Sequence, residues 1–382
     1  MYKTIEELVT RIDEKNSDGT VSELIGVSID KCFIKSVANT NGTDLSKYKI
    51  IRKNDFAVSL MQVSRDGKIP VARLEEYEEA IMSPAYPIFR VKDKNVILPE
   101  YLEMWFKRPE FDREAAFIAV GGVRGSMPWE EFAKMKLPVP PIEKQRKIVN
   151  AHKIVTDRIA LKQKINDNLA NTEQLILYQA ISKNQTIPLS LNEIAEFIDG
   201  DRGKNYPTFD EFSTSGFCLF LNASNVTSSG FNFDSCMFVT EEKDKIMRNG
   251  HLLLNDIVFT SRGTLGNVAL YDKNIKYKNV RINSGMLIIR PKGINLSPYF
   301  IYALLKSNYM KSAIEQFRSG SAQPQLPIKD LQNITFDIPE SQNVLDDLEH
   351  RFFEIEETIS INKREIGNLS ELASILLARL SR

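Results

Sequence analysis

The pattern of apolar and polar positions repeats itself about 200 residues along the chain. The segments VGGVRGSMPWEEFAKMKLPVP (120–140) and SGSAQPQLPIKDLQNITFDIP (319–339) have the same length, and their glycines, prolines and apolar positions coincide. A period of this length is typical of duplicated domains, because the repeats of solenoid proteins are several-fold shorter. The sequence therefore predicts two related halves.

Short apolar runs upstream of each copy extend the repeat. The run IIRKNDFAVSL (50–60) parallels HLLLNDIVFTS (251–261), and in each an Asn-Asp turn precedes a predicted strand. The runs LPEYLEMWFKRPEF (98–111) and LSPYFIYALLKSNYM (296–310) predict short helices that begin after a proline. Each half is therefore predicted to be a mixed domain of short strands and a few helices.

A long helical pattern follows each copy. In residues 345–380 the apolar positions alternate three and four apart for five heptads, which is a strong coiled-coil signal. The same register, moved back by 200 residues, fits residues 148–180 with more polar interruptions. Two polar positions, Lys162 and Asn362, are equivalent, and polar seam residues often fix the register of a helix pair. The predicted seam positions are Ile148, Val155, Ile159, Leu169 and Ile176 in the first helix, and Leu348, Ile355, Ile359, Asn362, Leu369 and Leu376 in the second.

The two helical stretches carry opposite charge. Residues 141–185 have a net charge of +4 and residues 341–382 a net charge of −3, whereas residues 1–140 and 186–340 are almost neutral. Oppositely charged helices of equal length are natural partners. A whole domain lies between them in sequence, which favours an antiparallel pair. A helix of about 36 residues would be roughly 54 Å long, at 1.5 Å per residue.

The predicted fold class is therefore α+β, with two mixed α/β domains separated by two long antiparallel helices in a coiled coil, and with pseudo-twofold symmetry. The predicted boundaries are 1–140 for the first domain, 141–185 for the central spacer helix, 186–339 for the second domain and 340–382 for the C-terminal spacer helix. Two similar domains arranged in this way fit two half-sites along one DNA duplex.

Composition narrows the class of protein further. The 382 residues include 50 basic and 50 acidic side chains, so the distribution of charge matters more than its sum. The three cysteines lack metal spacing, no run of 18 apolar residues occurs, and the N-terminus has no apolar signal core. We therefore expect a cytoplasmic protein without a membrane span or a metal site. No phosphate-binding loop, nucleophile elbow or adenine-methyltransferase motif is present, which favours a binding protein over an enzyme.

A basic stripe in the second half is the best candidate for contact with DNA. Residues 260–292 hold seven basic side chains and one acidic side chain, beginning in a glycine-rich loop. Arginine can bind guanine edges with both arms of its fork, and lysine mostly neutralises phosphate. The equivalent stretch 59–72 and the polar loop 199–207 add further candidates, although ordinary surface hairpins would have the same composition. The candidate DNA-binding residues are Gln62, Arg65, Lys68, Arg202, Lys204, Asn205, Arg262, Thr264, Asn267, Lys276, Lys278 and Arg281.

The repeated segment contains one more polar set. Arg124 and Ser126 match Gln323 and Gln325. Glutamine can read adenine with two hydrogen bonds, but the position of this loop at the junction of domain and helix favours a structural hinge.

The doubled segment also resembles a known family. GGVRGSMPWEEFAKMKLPVPPIEKQRKIV (121–149) resembles the first conserved region of Type I restriction–modification specificity subunits, and GSAQPQLPIKDLQNITFDIP (320–339) resembles the repeated one. The pattern L-P-x-P-P-x-x-x-Q-x-x-I-V is present at residues 137–149, where the glutamine is Gln145. The second copy departs from it, since Glu340 replaces the second proline. The resemblance covers essentially the whole chain.

This resemblance implies a function. Each half would be a target-recognition domain that reads a few base pairs in the major groove, and the helices would set the unread gap between the half-sites. Two DNA adenine methyltransferase subunits would dock on the helical region, with Gln145 among the partner-binding positions, and two translocase–nuclease subunits would join. S-adenosylmethionine, ATP and magnesium would belong to those partners, and this chain would be non-catalytic.

Two other interpretations stay open from the sequence. A coiled-coil adaptor would use the helices and the domains to bind other proteins, without DNA readout. Its binding would depend weakly on salt, whereas DNA binding weakens steeply as salt rises. An enzyme with an unrecognised active site would keep its activity when it is separated from all partner subunits.

Overall fold

The computed structural model describes residues 1–36, 43–120, 125–292, 296–317 and 325–381. The chain divides into two compact units, unit 1 (1–160 with 367–382) and unit 2 (161–366). Two long helices, α6 (Ile142–Lys183) and α12 (Gln342–Ala378), contribute residues to both units. The predicted fold class is confirmed, because each unit mixes short strands with short helices. The four domain boundaries stay a prediction.

Unit 1 contains its short elements in the order expected for a mixed domain. Its strands are β1 (Tyr2–Thr4), β2 (Val9–Ile12), β3 (Ile25–Val27), β4 (Phe33–Lys35), β5 (Lys49–Arg52), β6 (Phe56–Val58), β7 (Val71–Arg73), β8 (Glu79–Met82), β9 (Ile88–Val91) and β10 (Lys136–Pro138). Its short helices are α1 (Ile5–Leu8), α2 (Val63–Asp66), α3 (Pro99–Phe106), α4 (Pro109–Ile118) and α5 (Trp129–Lys134).

Unit 2 repeats these elements and adds others. Its strands are β11 (Thr186–Ser190), β12 (Ala195–Asp199), β13 (Cys218–Leu221), β14 (Val226–Thr227), β15 (Gly230–Phe231), β16 (Phe238–Val239), β17 (Ile257–Thr260), β18 (Val268–Leu270), β19 (Val280–Ile282), β20 (Met286–Pro291) and β21 (Thr335–Pro339). Its short helices are α7 (Leu191–Ile194), α8 (Glu241–Ile246), α9 (Pro298–Lys306), α10 (Asn308–Phe317) and α11 (Ile328–Gln332).

Each unit is built around a four-stranded antiparallel sheet of the same topology. The strand order is β2–β9–β6–β7 in unit 1 and β12–β20–β17–β18 in unit 2. A two-stranded sheet accompanies each, β1 with β10 and β11 with β21. Because these orders correspond element by element along the chain, the duplication predicted from the repeat is confirmed in the topology.

An ion pair between an arginine and a buried aspartate is duplicated with the sheet. In unit 1 the guanidinium of Arg90 binds both carboxylate oxygens of Asp55, at 2.5 and 2.8 Å. In unit 2 Arg290 binds Asp256 in the same way, at 2.8 and 2.7 Å. In both units the asparagine before the aspartate has φ of 71°, which asparagine tolerates better than most residues. The Asn-Asp turn predicted from the repeat is therefore part of one structural device that occurs twice.

Aromatic side chains fill the core between each sheet and its helices. In unit 1 the ring of Phe89 stacks on Phe56 at 5.3 Å and meets the edge of Phe106 at 6.1 Å. In unit 2 the ring of Phe300 from α9 stacks on Phe352 from α12 at 6.2 Å. Helix α12 therefore supplies side chains to the core of unit 2 and is not only a connector.

The long helices run antiparallel where they meet within unit 2. Lys162 Nζ of α6 donates to Asn362 Oδ1 of α12 at 2.8 Å, and Asn362 Nδ2 donates to Asn166 Oδ1 at 2.8 Å. Further along α6, Leu177 packs in one cluster with Leu348, which lies earlier in α12. The polar seam positions noted in the sequence therefore bind one another, and they fix which turns of the two helices face each other.

The other predicted seam residues also face inward. Val155, Leu348, Ile359 and Asn362 are buried, and the remaining ones, Ile148, Ile159, Leu169, Ile176, Ile355, Leu369 and Leu376, are half-buried. The predicted heptad positions are therefore buried or half-buried in both helices.

Gln145 differs from the other positions predicted on this helix. Its side chain is fully buried, its Oε1 accepts from the Leu98 N–H at 2.9 Å, and its Nε2 donates to the carbonyl oxygens of Val96 and Pro140 at 2.8 Å each. The prediction that Gln145 contacts a partner was wrong, because all of these contacts lie within unit 1. The residue fixes the start of α6 to the segment before α3.

Among the described residues, no helix combines the length and the apolar character that crossing a membrane requires.

Candidate nucleic-acid interface

The sheet of unit 2 collects three loops at one edge. Strands β12 and β17 end there, at Asp199 and Thr260, and strands β18 and β20 begin there. The loops that leave this edge are 200–206, 261–267 and 283–285, and we call them the loop edge of unit 2. Candidate residues up to 65 positions apart in the sequence, Arg202 in the first loop and Asn267 in the second, thus come together.

Two arginines flank the loop 283–285, which we call the central turn of this loop edge. Arg202 Nη2 donates to Asp199 Oδ1 at 3.0 Å and to the carbonyl oxygen of Ser284 at 3.2 Å. On the other side, the Ser261 N–H donates to the carbonyl oxygen of Gly285 at 3.0 Å, which places Arg262 beside the same turn. The loop edge therefore presents Arg202 and Arg262 on either side of one turn.

Arg262 is held by its backbone and not by its side chain. It forms a bridge with Gln325, and the loop after it turns through Gly263 and Gly266, with φ of 74° and 86°. These positive φ values favour glycine, and Gly266 lies close to Ile314 of α10. The half-buried Arg262 side chain has no ion-pair partner within the described ranges. Its fork is therefore available for a ligand.

The remaining candidates at this edge have two different roles. Lys204 and Thr264 are exposed. Asn205 Nδ2 donates to the Ile246 carbonyl oxygen at 2.9 Å, and Asn267 Nδ2 donates to the Val226 carbonyl oxygen at 3.0 Å. The two asparagines therefore hold the loops in place, whereas Lys204 and Thr264 are open to solvent.

Arg281 is not a surface residue, and its prediction as a DNA contact was wrong. The side chain is buried, and its fork binds the carboxylate of Asp244 and the carbonyl oxygens of Asp244 and Asn249, the latter two at 2.8 Å each. It also reaches the Met247 carbonyl oxygen at 3.3 Å. These hydrogen bonds are all directed at the end of α8 and the turn that follows, so the buried side chain cannot reach a duplex.

The basic stripe 260–292 is divided between two edges. Lys276 and Lys278 are exposed but lie before β19, whose other end leads into the central turn of the loop edge. Three strand residues separate the two ends, or about 10 Å at 3.3 Å per residue. The neighbouring Lys273 pairs with Glu357 of α12 at 3.2 Å. The sequence prediction of one continuous basic surface was therefore wrong.

Unit 1 presents its candidates at the equivalent edge, where β6 ends and β7 and β9 begin, and we call this the loop edge of unit 1. The connection from β6 to β7 contains α2, and Gln62, Arg65 and Lys68 are all exposed on it. Gln62 has φ of 62°, and its Oε1 accepts from Arg65 Nη2, while Arg65 Nε donates to Asp66 Oδ1 at 2.8 Å. Two side chains able to recognise bases are therefore already aligned with each other.

The described part of the repeated segment, from residue 125 in unit 1 and from residue 325 in unit 2, lies against the loop edge. In unit 1 a Cβ on Gly125 would lie 2.6 Å from Ser64 Oγ, and the Met127 N–H donates to the Leu60 carbonyl oxygen at 2.8 Å. In unit 2 the Leu326 N–H donates to the Ser261 carbonyl oxygen at 3.2 Å. The hinge interpretation is therefore replaced by support of the candidate loops. Arg124 and Gln323 lie outside the described residues, and so does most of the glycine-rich run 121–125.

Sequence reasoning missed one cation at the loop edge of unit 2. Arg248 is exposed, and its backbone N–H donates to Asp201 Oδ2 at 2.8 Å, next to Arg202. Asp201 also accepts from the Gly203 N–H, and these backbone N–H groups hold the pKa of Asp201 below its usual range. Arg248 follows a short helix and has no basic run around it, so its sequence gives no signal.

Within the described parts of the chain, no group of histidine, cysteine, aspartate or glutamate side chains is arranged to hold a metal ion.

Comparison with known proteins shows the class of protein to which this chain belongs. Residues 16–171 and 188–366 match the family model described as Type I restriction modification DNA specificity domain. A curated relative, the specificity subunit of the Type I restriction enzyme MjaIX from Methanocaldococcus jannaschii, is 21% identical over 304 residues, which are 75% of this chain and 69% of that protein. The two-unit chain with equivalent loop edges is therefore of the DNA-specificity class. It belongs to the Type I restriction modification DNA specificity family.

A solved structure agrees with this assignment in its fold. The S subunit of a Type I restriction–modification system from M. genitalium is similar with a TM-score of 0.61 and 17% identity, over 100% of this chain and 96% of that one. At this identity the comparison concerns the fold alone, and it matches the two mixed domains and two long helices described above.

Proposed function

We propose that this chain is the DNA-recognition subunit of a Type I restriction–modification complex and reads a bipartite site, with one half-site for each unit. The subunit itself is non-catalytic. It acts in the cytoplasm, where it recruits methyltransferase and translocase–nuclease subunits to the sites that it selects.

The observation that carries this proposal is the duplicated loop edge. The same four-stranded topology presents exposed or half-exposed cationic side chains at the same edge in both units, with Arg65 in one and Arg262 in the other. Arginine beside glutamine, as in Arg65 with Gln62, is suited to the hydrogen-bond pattern of base edges in the major groove. Two equivalent readers fit two half-sites on one duplex.

An outward-facing apolar row on α6 supports the recruitment of partners. Leu161, Leu175 and Tyr178 are 59, 56 and 69% exposed, although leucine and tyrosine at helical spacing are usually covered. These side chains face away from the seam with α12, so the helix pair is packed internally and still offers apolar surface. We propose that two methyltransferase subunits cover such surface, and that two translocase–nuclease subunits join through them.

The cofactors of the reaction would then be bound by the partners. We propose that S-adenosylmethionine, ATP and magnesium belong to the methyltransferase and translocase–nuclease subunits and not to this chain. The candidate residues of the loop edges are cationic and amide side chains, which suit phosphate and base edges and are poor ligands for magnesium.

A comparison of adenine methylation in the host genome, with and without this gene, tests the proposal. Loss of methylation from one bipartite motif on deletion, and its return when the gene is restored, is the expected result. Unchanged methylation at every motif, in a host whose methyltransferase gene is expressed, would contradict it. The adaptor alternative predicts instead that binding to duplex DNA is absent and that partner binding depends only weakly on salt.

A further inference from the structure

The turn 246–250 lies against the loop edge of unit 2, although it is remote in sequence from the other loops. Asn205 Nδ2 donates to the Ile246 carbonyl oxygen at 2.9 Å, and the Arg248 N–H donates to Asp201 Oδ2 at 2.8 Å. A Cβ on Gly250 would lie 3.3 Å from the Cα of Gly200, so two glycines let the backbones touch. The turn and the loop 200–206 are therefore one rigid piece.

Buried Arg281 shapes this turn. Its fork binds the Asp244 carboxylate inside α8 and the carbonyl oxygens of Asp244, Met247 and Asn249. A cation that binds the last carbonyls of a helix fixes where the helix stops and how the chain leaves it. The turn holds Arg248 outward, and the exposed Arg248 side chain has no ion-pair partner in the part of the chain that the structure describes.

The spacing of the strands separates the loop beside Arg248 from the loop that carries Arg262. Loop 200–206 follows β12 and loop 261–267 follows β17, which are two strands apart in the order β12–β20–β17. At about 4.8 Å per strand, this amounts to about 10 Å of sheet. The major groove is about 12 Å wide and is bounded by phosphates, so an arginine at this distance from a base contact meets the backbone.

We propose that Arg248 binds a DNA phosphate and so sets the register of unit 2 on the duplex, and that Arg281 is the positioning residue that holds Arg248 at the loop edge. This inference rests on the proposed function, because it takes the loop edge of unit 2 as the DNA-reading surface. At that edge Arg262 discriminates between bases, and Arg248 binds the phosphate backbone of every sequence equally.

The test uses the full-length chain and a duplex that contains the methylated motif, with a scrambled duplex beside it. Affinity is measured by fluorescence anisotropy over a range of salt concentrations for the wild type, Arg248→Gln and Lys276→Gln. Removal of one phosphate contact lowers the slope of log K against log salt by about one, without change in base preference. Lys276→Gln removes the same charge from the opposite edge of the same unit and should keep the wild-type slope.

Arg281→Lys tests the positioning role. Lysine keeps the charge but has no planar fork for several carbonyl oxygens, so the turn loses its shape and the slope falls as in Arg248→Gln. The double variant should show no further fall, since both changes remove the same contact. A merely structural role for Arg281 would add a second loss.

Three outcomes would overturn the inference: a wild-type slope in Arg248→Gln, an altered base preference in that variant, or an equal fall in Lys276→Gln. If Arg281→Lys does not fold, as judged by its thermal melt, Arg248→Gln still decides. If the wild type does not prefer the motif duplex, the proposed function is contradicted instead. The two failures are therefore distinguishable.

Discussion

Buried polar side chains distinguish the two ends of α6. Gln145 satisfies its oxygen and both of its amide hydrogens within unit 1. Glu173, in unit 2, is equally buried, but its Oε1 is buried without a hydrogen-bond partner among the described residues. Its Oε2 accepts from Lys306 Nζ at 2.7 Å, and the same Nζ donates to Glu356 Oε1 at 2.6 Å. One lysine ammonium group therefore binds two carboxylates.

Gln145→Ala should lower the free energy of unfolding of unit 1 by about 2 kcal/mol, because it leaves buried backbone groups without their hydrogen bonds. Urea unfolding, followed by the fluorescence of the two tryptophans, Trp105 and Trp129, which both lie in unit 1, measures the change. Gln163→Ala removes an exposed glutamine from the same helix and should change stability by less than about 0.5 kcal/mol. Equal effects of the two substitutions would contradict the role given to Gln145.

The buried Glu173 predicts that the stability of the fold depends on pH. Burial raises the pKa of Glu173 to about 8; Lys306 opposes this shift, and Glu356 adds to it. Burial also disfavours the charge on Lys306, but Tyr302 and the two carboxylates outweigh it and raise the pKa of Lys306. Both directions are consistent with a cluster in which Glu173 holds a proton and Lys306 stays charged.

The sign of the effect follows from the raised pKa. Above the ordinary carboxyl pKa of 4.5 the unfolded chain has lost the Glu173 proton, whereas the folded chain keeps it up to about pH 8. Stability should therefore fall as pH rises from about 4.5 to about 8 and level off above it. Melting temperatures at a series of pH values should show this fall for the wild type and a smaller fall for Glu173→Gln, which mimics the protonated form. Glu354→Gln, at an exposed position of α12, should behave as the wild type, and equal pH dependence in all three proteins would refute the assignment.

Arg281 shows what a sequence can and cannot predict at this scale. Residue type and local spacing correctly indicated cations beside glycine-rich turns, and Arg262 and Arg65 lie where that pattern suggests. The burial of Arg281 depends on α8, which is about 35 residues away in the chain and folds over it through Asp244. No local pattern carries that information, and for the same reason no pattern pointed to Arg248.

At the scale of elements, the sequence predicts the period of the long helices but not the order of the strands in the sheets. A heptad repeat states directly which positions of a helix are packed, so the seam of α6 and α12 followed from the sequence. Strand alternation states only which residues share a face. The order β12–β20–β17–β18 is set by pairing between distant segments, and it alone decides that Arg202 and Arg262 share an edge from which Lys276 and Lys278 are excluded.

Two leucines on the helix pair of unit 2 separate packing from partner binding. Leu348 is 2% exposed in the seam, and Leu161 is 59% exposed on the outward row. Leu348→Ala should cost about 2–5 kcal/mol in the free energy of unfolding, because it opens a cavity. Leu161→Ala should leave stability within about 0.5 kcal/mol and instead weaken co-purification with the methyltransferase subunit. A large loss of stability in Leu161→Ala, with partner binding intact, would remove the outward row as a docking surface.

At the scale of the whole molecule, duplication explains why one chain carries two readers. The units share a sheet order, an Arg–Asp pair with a buried aspartate and a backbone contact from the repeated segment to the loop edge, yet they differ in the loops themselves. The corresponding residues Glu7 and Glu193 are 186 positions apart and Asp55 and Asp256 are 201 apart, so unit 2 has gained fifteen residues between them. A common scaffold with different loops is suited to reading two different sequences.

The central claim is that each unit reads its own half of one site. The most direct measurement is the methylated motif in hosts that carry the wild-type chain, Arg65→Gln, Arg262→Gln or the control Lys276→Gln. Arg65→Gln should relax or change base preference in one half of the motif only, Arg262→Gln in the other half only, and Lys276→Gln in neither. If both arginine variants alter the same half, or if both weaken methylation equally across the whole motif, the account is contradicted.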